Sequence, residues 1–188
     1  MAECKHSEDC CQHQPAVTSV VQTIDEMDFE RGIWNAALMG NIHKIENMIA
    51  KDGIDPNLTD NYGYTALHYA ARHKRLEVCR LLLHNRANTN IQSRVGGVTA
   101  LHRAAYTGDK DIVIILLENR ANQMLADSDG QLPSHKACQG NHIEIMKILY
   151  RHTPEAFDKL DDTGKSPMDY LTDSNAVIEL KELMKCDK

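Results

Sequence analysis

A nine-residue pattern returns along this 188-residue chain at an almost constant interval. It reads Gly-Tyr-Thr-Ala-Leu-His-Tyr-Ala-Ala from Gly63 and Gly-Val-Thr-Ala-Leu-His-Arg-Ala-Ala from Gly97. Weaker copies begin at Gly130 and Gly164, so that successive copies start 34, 33 and 34 residues apart. A fixed period of this length is typical of repeat architectures, in which each copy is one small unit that buries its apolar face against its neighbours. The period therefore constrains the fold more than any other feature of the sequence.

Each copy is followed by a second repeated segment with apolar residues at helical spacing. These segments are Leu76–Leu83, Lys110–Leu117 and Ile143–Tyr150, and they predict an outer helix that packs on an inner helix in every unit. One period before His68 lies Gly32–Gly40, a degenerate first copy. The sequence thus predicts an all-α solenoid of helix-turn-helix units with short β-hairpin-like loops. We place it in residues 25–188, after a flexible, acidic tail of residues 1–24, with units at about 29–58, 59–92, 93–125, 126–159 and 160–186.

The repeated pattern resembles the ankyrin repeat in its Thr-x-Leu-His-x-Ala segment and in its period. The resemblance implies that His68, His102 and His135 are structural residues that bond the backbone between adjacent units. One repeat step is roughly 10 Å, the spacing of packed helices, whereas metal ligands lie about 2 Å from the ion. The three histidines therefore cannot share one metal ion.

Several positions depart from the family's pattern. The family usually has one glycine between the two helices of a unit and another after the outer helix. Lys74 and Asn141 replace the first glycine in units two and four, and Arg86, Arg120 and Thr153 stand at the second. Asn tolerates the left-handed conformation that such turns need, whereas Lys adopts it at a cost of about 1 kcal/mol. We therefore expect a solenoid less stable than a regular array, with unit four as its weakest point.

The net charge of the chain is concentrated at one end. The sequence has 27 acids and 21 bases, and residues 1–30 hold seven of the acids and one of the bases. A neutral body with an acidic arm lacks the basic surface that nucleic-acid binding requires. No apolar run approaches the roughly 20 residues of a membrane-spanning helix, and the polar segment Met1–Gln14 is unlike a signal peptide. We expect a monomeric cytoplasmic or nuclear protein whose cysteines are reduced thiols or metal ligands rather than disulfides, and no binding to nucleic acid or membrane.

The sequence contains no pattern typical of an enzyme. It has no arrangement of nucleophile and base beyond chance and no glycine-rich phosphate loop. Cys79 and Cys138 fall on predicted helices of the core, where cysteine acts as a small apolar residue rather than as a reactive thiol. We therefore predict no catalytic activity.

A cluster of cysteines and histidines near the N-terminus is a candidate zinc site. Zinc takes four nitrogen or sulfur ligands in tetrahedral geometry. No paired Cys-x-x-Cys knuckle is present, however, and adjacent cysteines chelate one ion awkwardly. A tail with incidental thiols and a tail that orders on binding a partner are the other interpretations. The candidate ligands are Cys4, His6, Cys10, Cys11 and His13, and no other cofactor is expected.

The variable positions of the repeats define a candidate binding surface. In the family, the loop tips and the exposed sides of the inner helices line a concave groove that holds partner proteins. Tyr and Arg, the types most enriched at interface hot spots, are frequent at these positions here, and Arg94 stands where the family usually has a turn-forming aspartate. The predicted partner-binding residues are Tyr62, Tyr64, Tyr69, Arg72, His73, Arg94, Arg103, Tyr106, Asp129 and Lys136, with Asn61, Ser128 and Gln131 also at the tips.

The sequence therefore predicts a protein-interaction adaptor or scaffold that binds a partner by complementarity to a rigid groove. The alternative is a zinc-binding or redox-sensing adaptor, in which the Cys/His tail docks on the solenoid or switches it. Stoichiometric zinc in the purified protein would separate the two functions.

Overall fold

The computed structural model describes residues 29–186, which form pairs of helices joined by short turns. The inner helices are α1 (Ile33–Met39), α3 (Ala66–Arg72), α5 (Ala100–Thr107) and α7 (Pro133–Gln139). The outer helices are α2 (Ile42–Ala50), α4 (Leu76–His84), α6 (Lys110–Glu118) and α8 (Ile143–His152). The 3₁₀ helices Pro154–Phe157 and Pro167–Tyr170 precede the last helix, α9 (Ser174–Cys186), and residues 29–31 are also helical. An isolated bridge joins Thr59 and Thr65, and no longer strand forms between residues 29 and 186. The predicted all-α solenoid with hairpin-like loops is confirmed.

Slim inner helices let consecutive units pack closely. Helices α1, α3, α5 and α7 contact one another in turn, and the alanine pairs Ala70/Ala71 and Ala104/Ala105 on α3 and α5 are fully buried. Larger aliphatic residues of the outer helices complete the core, and each contributes about 1.5–3 kcal/mol when fully buried. They include Ile45, Leu82, Ile112, Leu116, Ile145 and Leu149.

A buried histidine ties each central inner helix to its own cap and to the next unit. His68 Nδ1 accepts a hydrogen bond from the backbone N–H of Thr65 at 3.1 Å. Its Nε2 therefore carries the proton and donates to the carbonyl oxygen of Val98, 3.0 Å away in the following unit. Burial lowers the pKa of His68 and of His102 to about 4, so both rings are neutral near pH 7. The same ties recur at His102, with Thr99 and Gln131, and at His135, with Leu132 and Lys165. The structural role that the resemblance implies is confirmed.

Residues other than glycine hold left-handed backbone at four turns. Gly40 and Gly108 take this conformation between the helices of units one and three, with φ of 77° and 80°. Thr153 does not take it, since its φ is −149° and it leads directly into the 3₁₀ helix Pro154–Phe157. The expectation of a strained turn there is wrong because the chain leaves α8 through this 3₁₀ helix. The four residues are Lys74 (φ 56°), Arg86 (64°), Arg120 (62°) and Asn141 (53°).

The two ends of the stack differ from its middle. Trp34 stands at the histidine position of unit one, and its indole N–H donates to the carbonyl oxygen of Leu58 at 3.0 Å. In the last unit the inner helix is reduced to the 3₁₀ turn Pro167–Tyr170, which Ser166 and Asp169 cap, and α9 packs on α8. Among helices of residues 29–186, none has both the length and the apolar character needed to cross a bilayer.

Candidate protein-binding surface

An aspartate organises the loop tip in three of the units. In unit two, Asp60 Oδ1 accepts the backbone N–H groups of Tyr62 at 2.9 Å and Tyr64 at 2.8 Å. Asp127 and Asp161 accept the N–H groups two and four residues further on in the same way. These bonds fix the path of each tip, and so they fix where the tip side chains stand.

Unit three is built differently at its tip. Its loop is one residue longer, with two consecutive glycines, and Ser93 stands at the position of the aspartate. Ser93 Oγ accepts the N–H of Val98 at 3.1 Å and donates to the carbonyl oxygen of Val95 at 2.7 Å. The prediction that Arg94 replaces the turn-forming aspartate is therefore wrong by one position. Arg94 is exposed at the tip, where its Nη1 lies 3.5 Å from the carbonyl oxygen of Asn61.

In units two and four, the side chain that follows the histidine reaches back to the loop acid of its own unit. Tyr69 Oη donates to Asp60 Oδ2 at 2.6 Å. In unit four, Lys136 Nζ lies 2.8 Å from Asp127 Oδ2. Asp60 and Asp127 precede their partners by nine residues, and this spacing is a signal by which sequence reasoning could have found the pairs that it missed.

Arg103 occupies the same position in unit three, where no aspartate is available. Its Nη2 donates to Tyr64 Oη of unit two at 2.8 Å, and its guanidinium carbon lies 5.1 Å from the centre of that ring. A cation over an aromatic face is attracted by the ring's quadrupole. Tyr64 Oη in turn donates to the carbonyl oxygen of Val95 at 3.3 Å. Arg103 thus links units two and three across the groove.

Aromatic rings continue this contact towards the start of the solenoid. The rings of Tyr64 and Tyr69 meet edge to face with centres 6.0 Å apart, and Phe29 meets Tyr69 in the same way at 5.3 Å. Burial, followed by the hydrogen bond to Asp60, raises the pKa of Tyr69, so its hydroxyl stays protonated and keeps donating. A small cleft of about 40 Å³ remains among these groups, and we call it the unit 2–3 cleft. It is lined by Tyr64, His68, Tyr69, Arg72 and Arg103.

Units four and five carry a closed polar network on their inner side. Gln131 Oε1 accepts from Lys136 Nζ at 2.6 Å and from Gln139 Nε2 at 2.9 Å. Gln131 Nε2 donates to Asp161 Oδ2 at 3.2 Å and to Tyr170 Oη at 3.0 Å. Gln131 is 8 % exposed, so its predicted place at an exposed tip is wrong: its amide is consumed by four internal bonds.

The two carboxylates of this network are held in the charged form. Burial alone would raise the pKa of Asp127, but hydrogen bonds from Lys136 and from backbone N–H groups outweigh burial and lower it. The hydroxyl of Tyr170 is the largest cause of the lowered pKa of Asp161. The polar side chains of this network therefore satisfy one another.

The predicted partner-binding residues divide into three sets. Tyr64, Tyr69 and Arg103 are half-buried and converge with the exposed Arg72 at the unit 2–3 cleft, whereas Lys136 belongs to the separate network. Three features were not predicted from the sequence: the contact of Phe29 with Tyr69, the hydrogen bond from Tyr69 to Asp60, and the polar network of units four and five. The remaining predicted residues, Tyr62, His73, Arg94, Tyr106 and Asp129, are exposed around the cleft or along the tips.

Metal ligands and reactive thiols are the other candidates for chemistry in residues 29–186. No group of three or more His, Cys, Asp or Glu side chains is placed there to hold a metal ion. Cys79 and Cys138 are fully buried, and burial raises the pKa of both thiols to about 12, so they are core residues as predicted. The candidate zinc ligands Cys4, His6, Cys10, Cys11 and His13 lie outside the described residues.

Comparison with known proteins identifies the repeat. The sequence model of a family described as "Ankyrin repeats (3 copies)" matches residues 13–93, 33–127, 85–161 and 101–187. Ankyrin repeat domain-containing protein 39 is 49 % identical over 84 residues in Homo sapiens and 56 % identical over 63 residues in Bos taurus. These alignments cover 45 % and 34 % of both chains, less than half of each relative's own length. Ankyrin repeat protein nuc-2 of Neurospora crassa is 28 % identical over 88 % of this chain and 15 % of its own. The chain belongs to the ankyrin-repeat family.

Proposed function

We propose that this protein is an adaptor or scaffold that holds a partner protein against the inner helices and loop tips of units two and three. Ankyrin repeats mediate protein–protein interaction, and the family is generally non-enzymatic. The observation that carries the proposal is the exposure of large aromatic side chains in units two and three, the units that form the cleft. Tyr62 is 61 % exposed and Tyr106 is 58 % exposed, and tyrosine is among the residues that dominate binding energy at interfaces.

The internal bonds around the cleft support the same function. Tyr64, Tyr69 and Arg103 are already fixed by hydrogen bonds to Val95, Asp60 and one another. Side chains that are ordered before binding lose less conformational entropy when the partner arrives, which improves affinity without new contacts. A rigid groove of this kind suits recognition by shape, with no chemical step.

Capture of partners from cells tests the proposal. The groove variant Tyr62→Ala/Arg72→Ala/Tyr106→Ala removes three exposed side chains and cuts none of the bonds that hold the cleft together. A matched control, Glu77→Ala/Arg80→Ala/His84→Ala, removes three exposed side chains from the outer helix α4. We expect the groove variant to lose partners that wild type and the control retain, with all three proteins shown to be folded by circular dichroism. Retention of every partner by the groove variant would contradict the proposal.

A zinc-binding or redox-sensing adaptor remains the second proposal, and it rests on the Cys/His cluster of residues 4–13. Elemental analysis of the full chain, purified without chelator, measures it directly. One zinc per chain that is lost in a Cys10→Ser/Cys11→Ser variant would support this function, and zinc-free protein would refute its zinc form. Unchanged partner capture after treatment with peroxide would refute its redox form.

A further inference from the structure

The cation on the inner helix of unit three lacks the acid that its counterpart in unit four has. Lys136 is paired with Asp127 at 2.8 Å. Arg103 stands at the same position in unit three, but Ser93 replaces the aspartate. The ion pairs between residues in the 29–186 range do not include Arg103. Its positive charge is therefore not compensated within its own unit.

Among the ion pairs of residues 29–186, none joins Arg103 to Asp60 of the unit two tip. Asp60 Oδ1 accepts two backbone N–H groups, and Asp60 Oδ2 accepts the hydroxyl of Tyr69. Arg103 turns to the neutral hydroxyl of Tyr64 instead. A guanidinium group has five N–H donors in a planar fork, so most of its donors stay available to a second group.

A second cation lines the same cleft. Arg72 is exposed, and it takes part in no ion pair with another residue of the described range. The cleft that the two arginines line measures about 40 Å³. A cleft of this size, lined by two guanidinium groups, suits a compact anionic group.

We infer that the unit 2–3 cleft binds an aspartate or glutamate side chain of the partner protein, which Arg103 and Arg72 receive, while apolar neighbours of that acid lie on Tyr62 and Tyr106. This inference rests on the proposed function and names the chemistry that the groove selects. A carboxylate matches the planar fork of arginine with two parallel hydrogen bonds. Tyr62 is exposed two residues before Tyr64, which lines the cleft, and Tyr106 is exposed one helical turn along α5 from Arg103, so apolar partner residues next to the acid would meet these two rings.

A random peptide display library, selected on the immobilised full chain, tests the inference without knowledge of the partner. We expect the enriched peptides to share an acidic residue flanked by apolar residues. Fluorescence anisotropy then measures the affinity of the most enriched peptide and of its Glu→Gln or Asp→Asn form. We expect Arg103→Gln in the protein to weaken binding by about tenfold, and the amide peptide to lose the same factor.

Three comparisons make this test specific. The amide peptide should lose nothing further on Arg103→Gln, because the two changes remove one interaction. Arg103→Lys, which keeps the charge and loses the fork, should restore only part of the affinity. Lys136→Gln is the matched control: it removes a cation from the equivalent position of unit four, and we expect it to change the affinity by less than about twofold because that cation is already paired.

Several results would overturn the inference. They are enriched peptides without an acidic residue, no enrichment at all, or an equal loss on Arg103→Gln and Lys136→Gln in folded proteins. A tenfold rise in peptide affinity on Asp25→Asn/Glu26→Gln/Asp28→Asn would also overturn it, because it would assign the cleft to the chain's own acidic segment. If partner capture from cells needs the groove but the selected peptides need no acid, the inference fails and the proposed function stands. If capture does not need the groove, the proposed function fails.

Discussion

Equivalent positions of the repeat form the inner face of units two and three and the inner face of units four and five. The polar side chains at these positions bond differently in the two faces. In units four and five, Gln131, Lys136 and Asp161 bind one another, and their hydrogen-bonding capacity is spent inside the molecule. In units two and three, Arg103 binds only a neutral tyrosine, and Arg72 stands in solvent. At the loop tip of unit three, serine stands where units two, four and five have aspartate, and the cation of its inner helix pairs with no acid of its own unit.

Lowering the pH is expected to destabilise both faces, because each of them contains at least one buried, neutral histidine. The folded-state pKa of His68 and His102, about 4, lies below the unfolded value of about 6.5. The unfolded chain therefore takes up protons first, and the free energy of unfolding falls as the pH drops from 6.5 to 4, by on the order of 3 kcal/mol per histidine. Urea unfolding at a series of pH values measures this loss. A free energy that stays constant between pH 7 and pH 5 would contradict it.

A further acid effect is expected in units four and five, below the range of the histidines. The folded-state pKa of Asp127 is lowered, so its contribution is complete above the unfolded value of about 3.9 and is lost as the pH falls through the folded value. A Lys136→Gln chain should lose less stability than wild type over this lower range.

His102 connects unit three to unit four, and its removal should make the units before and after this junction unfold separately. His102→Ala deletes the hydrogen bonds to Thr99 and to the Gln131 carbonyl and leaves a buried gap, at a cost of about 3 kcal/mol. Trp34 fluorescence reports on unit one and circular dichroism on all units, so we expect the two unfolding curves to diverge. The exposed His84→Ala serves as control. Coincident curves for His102→Ala would show that the units still unfold as one.

Replacing the two equivalent cations by glutamine, one at a time, should show which of them contributes more to the stability of the fold. Lys136→Gln leaves the buried Asp127 without its partner and is expected to lower the free energy of unfolding by about 2 kcal/mol. Arg103→Gln breaks one bond to a neutral hydroxyl and is expected to cost less than about 1 kcal/mol. Thermal and urea unfolding of both variants checks this order. The reverse order would mean that Arg103 is mainly a structural residue.

The smallest effect is expected from restoring the missing acid. Ser93→Asp places a carboxylate where units two, four and five have one, and a partly exposed pair with Arg103 is worth about 0.2–1 kcal/mol. We therefore expect a slight gain in stability and a several-fold loss of affinity for acidic peptides. Ser93→Asn, which has the same shape without the charge, should leave that affinity intact. Equal affinities for Ser93→Asp and wild type would contradict the account of the unpaired arginine.

Sequence reasoning predicted the frame of this molecule better than its surface. The period and the left-handed Lys74 and Asn141 follow from local rules that depend only on neighbours in the chain. The bonds that distinguish the two faces depend on which side chains meet across units. The contact of Arg103 with Tyr64 spans 39 residues, and Gln131 is buried by partners from three different segments. Repeat spacing alone places such residues on the inner side and does not say whether their polar groups remain free.

The left-handed residues at the turns also bear on how this protein can be studied. Lys74, Arg86, Arg120 and Asn141 each hold a conformation that glycine adopts without steric strain, and relief is worth about 1 kcal/mol at each non-Asn site. Glycine at these positions would together raise the free energy of unfolding by a few kcal/mol, a substantial share of the 5–15 kcal/mol of an ordinary domain. A variant with glycine at these turns would be a more stable background, in which destabilising groove substitutions could be tested for binding while the protein stays folded.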